Sequence, residues 1–209
     1  MDAEAPIPLL LTSVLIGFFL GGLPSGLWIG RARGVDLRTV GSRNIGATNA
    51  YRVLGARWGI SVFLLDAAKG FLAASAPVLL GAGFAASLAS GVAAILGHVF
   101  SPWLGFRGGR GVATSLGVFL SITPVPTLLA FAVWAVLVLL SRRVSVGSLG
   151  AALLYPALVF LLLRDDPHRA LLTCITAAVS LLVILRHRAN IQRLLAGTEP
   201  PLRRGGGTP

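Results

Sequence analysis

The chain has 209 residues, of which 55% are hydrophobic and only 12% charged, and its mean hydropathy is +0.84. A soluble domain of this size carries about a quarter charged residues, so that class is excluded and the bilayer becomes the solvent. The net charge of +11, from 18 basic and 7 acidic residues, belongs in such a chain to the positive-inside rule before it belongs to nucleic acid.

The first residues, Met-Asp-Ala-Glu, are acidic where a cleavable signal is basic, so the first apolar run is expected to be retained. Apolar segments follow at 7–30, 58–82, 84–105, 112–123, 126–141, 148–163 and 169–185. One span needs about 20 apolar residues. The fourth segment is too short alone, and Pro124 and Pro126 break the chain just after it. It is expected to be a shortened or tilted helix supported by its neighbours. The expected fold is an all-α polytopic membrane protein with about seven transmembrane helices, six being the alternative. A single transmembrane domain over 1–198 and a disordered tail over 199–209 complete the outline.

Orientation follows from arginine. The segment 31–57 holds Arg31, Arg33, Arg38, Arg43, Arg52 and Arg57, and is assigned to the cytoplasm. With seven spans, 106–111, the pair Arg142 and Arg143, and everything from Arg186 onward fall on the same side, which puts 15 of the 18 basic residues inside. The acidic N-terminus is then outside and the C-terminus cytoplasmic. Trp28, Trp58 and Trp103 fit interfacial belt positions.

The polar, glycine-rich stretches 41–52 (GSRNIGATNAYR), 105–114 (GFRGGRGVAT), 142–148 (RRVSVGS) and 186–199 (RHRANIQRLLAGTE) all face that one side. Four such loops at one membrane face suggest a single site. In GFRGGRGVAT, glycine lets backbone N–H groups approach an anion, and Val-Ala-Thr opens a helix whose N-terminus favours negative charge. Arg107 and Arg110 supply forked cations suited to phosphate. A tight turn with positive-inside arginines explains this loop equally well. GSRNIGATNAYR repeats the chemistry with Ser42, Asn44, Thr48, Asn49 and Arg52 among Gly41 and Gly46. A capped solvated connector accounts for its single residues but not for two matched loops.

His187 and Asn190 share a helical face if the last span continues that far, although a headgroup anchor is the commoner role of a basic end. Asp66 and Lys69, three apart inside an apolar segment, are expected to pair structurally. His98 alone reads as a satisfied interfacial histidine. The one cysteine, Cys174, excludes a disulfide within the chain and a cysteine metal site. No Gly-x-Ser-x-Gly elbow, His-Glu-x-x-His, or histidine followed five residues later by aspartate occurs. A covalent nucleophile with a positioned base is absent from the motifs, so acyl or phosphoryl chemistry would need an activated donor and a preorganised anion site.

Together the stretches resemble the bacterial acyl-phosphate:glycerol-3-phosphate acyltransferase family (PlsY type). The likeness rests on Gly41 through Asn49 with Arg52, on Leu65-Asp66 with Lys69-Gly70, on Gly97-His98 through Thr114, and on His187 through Ile191 with Gly197 and Glu199. It implies a seven-helix bacterial inner-membrane enzyme with its site at the cytoplasmic face. Such an enzyme moves a fatty acyl group from acyl phosphate to the first hydroxyl of glycerol 3-phosphate, giving lysophosphatidic acid and phosphate. By that resemblance Arg52, Arg110 and the backbone of Gly108, Gly109 and Gly111 clamp glycerol phosphate, while Ser42, Thr48 and Asn49 hold the head of the acyl phosphate. His187, Asn190 and Ser148 position substrate and hydroxyl. Gly41, Asn44, Gly46, His98, Arg107 and Thr114 complete the binding set, and Asp66, Lys69 and Glu199 are structural. No metal or cofactor is expected, the lipid bilayer and the two substrates are the partners, and a monomer is expected to suffice. The family usually has glycine at the position of Arg43, proline at that of Ser101, and lysine at those of Arg107 and Arg110. The competing expectation, a membrane carrier for a small organic phosphate, would show pseudo-repeated halves with sites near the midplane, which the clustering of loops at one face opposes.

Overall fold

The computed structural model describes residues 6–202. Its elements are α1 (Ile7–Gly22), α2 (Ser25–Ala32), α3 (Ala47–Leu54), α4 (Ala56–Leu79), α5 (Gly83–Val99), a 3₁₀ turn (Pro102–Leu104), α6 (Val112–Ile122), α7 (Pro124–Ser141), α8 (Val144–Leu162), α9 (Arg169–Arg186) and α10 (Arg188–Leu195). No strand occurs among the described residues. Among the described residues six helical stretches are long and apolar enough to cross a membrane, and the shorter Val112–Ile122 is apolar as well. At 1.5 Å per residue its 11 residues reach roughly half of a bilayer core about 30 Å thick, so α6 is the shortened helix expected. Pro124 and Pro126 do not merely end it. They form the first turn of α7, where a missing N–H has no helical partner to lose.

The chain divides into two compact units, one through Ile122 and one from Thr123. In the first, the apolar run at 7–30 is not one helix. Pro24 denies its neighbour the helical region, Leu23 turns extended (φ −52°, ψ 123°), and α1 stops at Gly22 before α2 restarts at Ser25. Small residues then let helices touch through their backbones. A Cβ on Gly17 or Gly21 of α1 would strike Ser90 or Ala94 of α5, and one on Gly97 of α5 would strike Phe18 of α1. The short α6 is held the same way, with Gly70 of α4 against the Thr114 carbonyl and Gly117 of α6 against that of Ala67. Leu27 of α2, Ile45 before α3 and Leu104 of the 3₁₀ turn form one buried cluster, so the loops around 41–46 and 101–111 share an anchor.

In the second unit α8 packs against α7 and α9. The Tyr155 hydroxyl lies 2.6 Å from Thr123 Oγ1 and 3.0 Å from Thr127 Oγ1, polar glue in an apolar layer. The last span does not continue through the basic end. Its helix stops at Arg186 and α10 begins at Arg188, with His187 capping both. The chain at 199–202, left to the tail by the sequence reading, is instead tied down: Glu199 is buried and Leu202 N–H donates to the Arg142 carbonyl at 2.6 Å. Residues 203–209 lie outside the described residues.

Arg43 occupies the left-handed region at φ 55°, which glycine adopts without steric cost. That conformation costs a residue with a Cβ about 1–2 kcal/mol. Arg43→Gly is therefore expected to hold or raise the melting temperature in detergent, and Arg43→Val to lower it, the two differing by at least about 1 kcal/mol.

Candidate active site

The first unit carries two loops. In the 37–46 loop Asn49, 1% exposed, donates from Nδ2 to the carbonyls of Leu37 (3.0 Å) and Val40 (3.1 Å) and accepts the Ser42 N–H at Oδ1 (2.8 Å). Gly41 is left-handed, and a Cβ there would meet Asn49 Oδ1. Asn49 is thus a scaffold that shapes the loop, and its amide does not hold an acyl-phosphate head. Asn44 is also local, its Oδ1 accepting the Gly46 N–H at 2.8 Å just before α3. Ser42, Thr48 and Arg52 are half-buried, and the two hydroxyls take no part in the bonds that hold the loop. Upstream, Arg38 grips Asp36 with Nη2–Oδ2 at 2.6 Å; that hydrogen bond, with the Arg38 backbone, lowers the Asp36 carboxyl to about 2.

The second loop differs in detail from the expected nest. Gly108 N–H donates to the Val99 carbonyl and Gly109 N–H to that of His98, both at 3.1 Å. These two amides fasten the loop beneath the end of α5 and are spent there. The glycines are needed for closeness: a Cβ on Gly108 would hit the His98 carbonyl, and one on Gly109 would hit His98 Nε2. The amides that could face an anion therefore lie downstream. Gly111 is left-handed at φ 86° and opens α6, whose first-turn amides at Val112, Ala113 and Thr114 point past the helix end. Thr114 and Ser115 add buried hydroxyls with no hydrogen-bond partner among the described residues. Arg110 is half-buried beside this turn and Arg107 is exposed.

Below the loop lies the expected pair. Lys69 Nζ is 2.8 Å from Asp66 Oδ1, and both side chains are buried. The Ser25 hydroxyl donates to the same oxygen at 2.6 Å, His98 Nδ1 is 3.7 Å from it, and Lys69 donates to the Leu23 carbonyl at 2.8 Å. The same carbonyl, at the break after α1, also accepts the Ser25 N–H at 3.1 Å. His98 is buried against the glycine loop.

The second unit gathers His187, Asn190, Ser145 and Glu199. His187, 2% exposed, has Nδ1 2.8 Å from the Val183 carbonyl. If Nδ1 carries the proton, as that acceptor requires of a neutral ring, Nε2 is an acceptor. Asn190 donates to Glu199 Oε1 at 2.7 Å, and its own Oδ1 is buried without a partner among the described residues. Glu199 also accepts from the Ser145 hydroxyl (2.9 Å) and Arg193 Nε (2.7 Å), while Arg143 Nε donates to its backbone carbonyl (3.0 Å). Ser148, one turn from Ser145 on α8, accepts from Trp134 Nε1 at 3.3 Å. Sequence reasoning missed Ser145, Arg143 and Arg193, although Ser145 lies three residues before Ser148, a spacing that would have found it. It also missed Ser25, which no spacing marks. Among the described residues no cluster of His, Cys, Asp or Glu could hold a metal ion.

A helical membrane protein with an arginine-flanked glycine turn at a helix N-terminus, and a buried Asn190–Glu199 hydrogen bond in its second unit, is the class this architecture defines. The model of the family described as glycerol-3-phosphate acyltransferase matches residues 11–197, across both units. The chain is 46% identical over 195 residues to a Geobacter sulfurreducens protein named glycerol-3-phosphate acyltransferase, covering 91% of this chain and 95% of that one. A Fusobacterium nucleatum protein of the same name is 42% identical over 187 residues, covering 89% and 94%. The crystal structure of PlsY, described as an integral membrane glycerol 3-phosphate acyltransferase in its glycerol 3-phosphate form, superposes with a TM-score of 0.84 at 38% identity, covering 93% of this chain and 96% of that one. Its lysophosphatidic acid form gives 0.81 at 36% identity, covering 92% and 94%. The chain belongs to the glycerol-3-phosphate acyltransferase family, and it is an integral membrane protein.

Burial raises the Glu199 carboxyl, but hydrogen bonds from Asn190, Ser145 and Arg193 outweigh it and hold the group below the ordinary 4.5. A depressed carboxyl stabilises the fold above its unfolded value, and that stability is lost as pH falls through the folded value. Glu199→Gln should therefore melt earlier than wild type at neutral pH, and the gap should narrow as pH falls below 4.5. Thermal unfolding in detergent across that range checks this.

Proposed function

We propose that the protein transfers a fatty acyl group from acyl phosphate to the first hydroxyl of glycerol 3-phosphate, in the cytoplasmic leaflet of a bacterial inner membrane, as a monomer and without metal or cofactor. The observation that carries the reading is the α6 turn: left-handed Gly111, first-turn amides and two buried hydroxyls, with Arg110 next to Gly111, have the chemistry to hold a phosphate. Its presence in a chain matched end to end by structures with glycerol 3-phosphate and lysophosphatidic acid supports assigning that phosphate to the acceptor.

In this reading Arg110, Arg52 and the Gly111–Thr114 backbone hold the acceptor phosphate, and Ser42 with Thr48 holds the donor's head. Acyl phosphate is a mixed anhydride and needs no enzyme nucleophile. The acceptor hydroxyl oxygen bonds to the carbonyl carbon, the bond from that carbon to the phosphate oxygen breaks, and phosphate leaves. The hydroxyl proton passes to the departing phosphate, which accepts it as the bond to the acyl carbon breaks. Cys174 is exposed and has no role.

Purified protein in detergent, given acyl phosphate and glycerol 3-phosphate, should form lysophosphatidic acid with no acyl adduct on the protein. With no membrane to cross, product formation also separates catalysis from carriage. Arg110→Ala should raise the glycerol 3-phosphate KM about ten- to a hundred-fold, the size of one charge-assisted hydrogen bond, and change the acyl phosphate KM far less. Arg110→Lys should keep substantial activity. Absence of product, or equal rises in both constants, would overturn the assignment.

The arginine asymmetry further places Gly197 in the cytoplasm and the N-terminus outside. A reporter joined after Gly197 should be active only in its cytoplasmic form, and periplasmic activity would reverse the orientation.

A further inference from the structure

Asp66 is buried in α4, remote in sequence from both loops, and a structural ion pair with Lys69 would by itself explain its place. Three features of its surroundings go further. Oδ1 serves Ser25 and Lys69 as a direct acceptor, and it also lies 3.7 Å from His98 Nδ1. That distance is long for a hydrogen bond, so the carboxylate acts on the imidazole through charge in a poorly screened interior. Across the same ring, Nε2 lies where a Gly109 Cβ would stand. The backbone of His98 and its neighbour grips the loop as well, since the His98 and Val99 carbonyls accept the Gly109 and Gly108 amides. The imidazole is therefore a spacer between a buried carboxylate and the loop backbone, one residue ahead of Arg110.

We propose that Asp66 is a positioning residue for the acceptor-phosphate turn, acting through His98. Its charge fixes the tilt and tautomer of the ring, and the Nε2 edge sets how Gly109, and hence Arg110 and Gly111, stand toward the phosphate. Lys69 and Ser25 hold the carboxylate in place. The proposal rests on the reading above that this turn binds glycerol 3-phosphate.

The test is a double-mutant cycle on purified protein, with Asp66→Asn, His98→Leu and the combined variant, reading both KM values, kcat and melting temperature. Each single change should raise the glycerol 3-phosphate KM about tenfold, the scale of one misplaced charge-assisted hydrogen bond, with the acyl phosphate KM nearly unchanged. The combined variant should be no worse than His98→Leu alone, because Asp66 works through that ring, and His98→Gln should recover part of the loss. Additive effects, an unchanged acceptor KM, or losses in kcat that follow melting temperature alone would overturn the proposal. Asp66→Asn leaves Lys69 without its counter-ion; if it does not fold, Asp66→Asn/Lys69→Gln, which removes both charges, takes its place in the cycle with the same outcomes. An additive cycle in an active enzyme sinks the positioning role and spares the acyltransferase. A wild-type protein that makes no lysophosphatidic acid sinks both.

Discussion

Much of the first unit depends on one buried ion pair, Asp66 with Lys69. Charges at membrane depth are expensive, and breaking a buried pair by removing one partner costs on the order of 3–5 kcal/mol in soluble proteins. Here the pair is bonded outward on both sides. Lys69 donates to the Leu23 carbonyl at the break after α1, and Asp66 receives the Ser25 hydroxyl. The break in the first span is thus fixed at one register. That register places α2, and Leu27 of α2 meets Ile45 and Leu104, the anchors of the two functional loops. A local proline effect becomes, through two side chains, the placement of the two glycine-rich loops.

The loops divide their work between backbone and side chain in a way that composition hides. Asn49 and the Gly108 and Gly109 amides look like ligand groups and are fully engaged in holding their own loops. Among the described residues the hydroxyls of Ser42 and Thr48 are not spent in this way, nor are those of Thr114 and Ser115. Glycine at 108 and 109 answers a need for close approach to α5, whereas at 111 it answers a need for a left-handed turn.

The apolar runs made the spans legible, because a bilayer imposes length and hydropathy on a helix with little tolerance. The short fourth segment and the Asp66–Lys69 pair were legible for the same reason. The break at Pro24 was not, since an apolar run shows hydropathy but not where a helix restarts. Composition puts Glu199 at the start of a tail although the family resemblance makes it structural, and its carboxylate's three donors come from residues up to 54 positions away. The roles of Gly108 and Gly109 were misread on similar grounds: sequence shows which amides are flexible, and only the fold shows which are already used. Family motifs located the important positions without telling scaffold from ligand contact.

The Glu199 carboxylate also bears on the order of biosynthesis. It follows both helices it ties, α8 through Ser145 and α10 through Asn190 and Arg193. Those helices leave the ribosome, and α8 enters the bilayer, before their common acceptor exists. Until it arrives, the donors must be satisfied by water or headgroups. The second unit is therefore threaded first and locked afterwards, and a chain arrested between Leu195 and Glu199 would hold every span yet lack the group that draws His187's neighbour Asn190 into place.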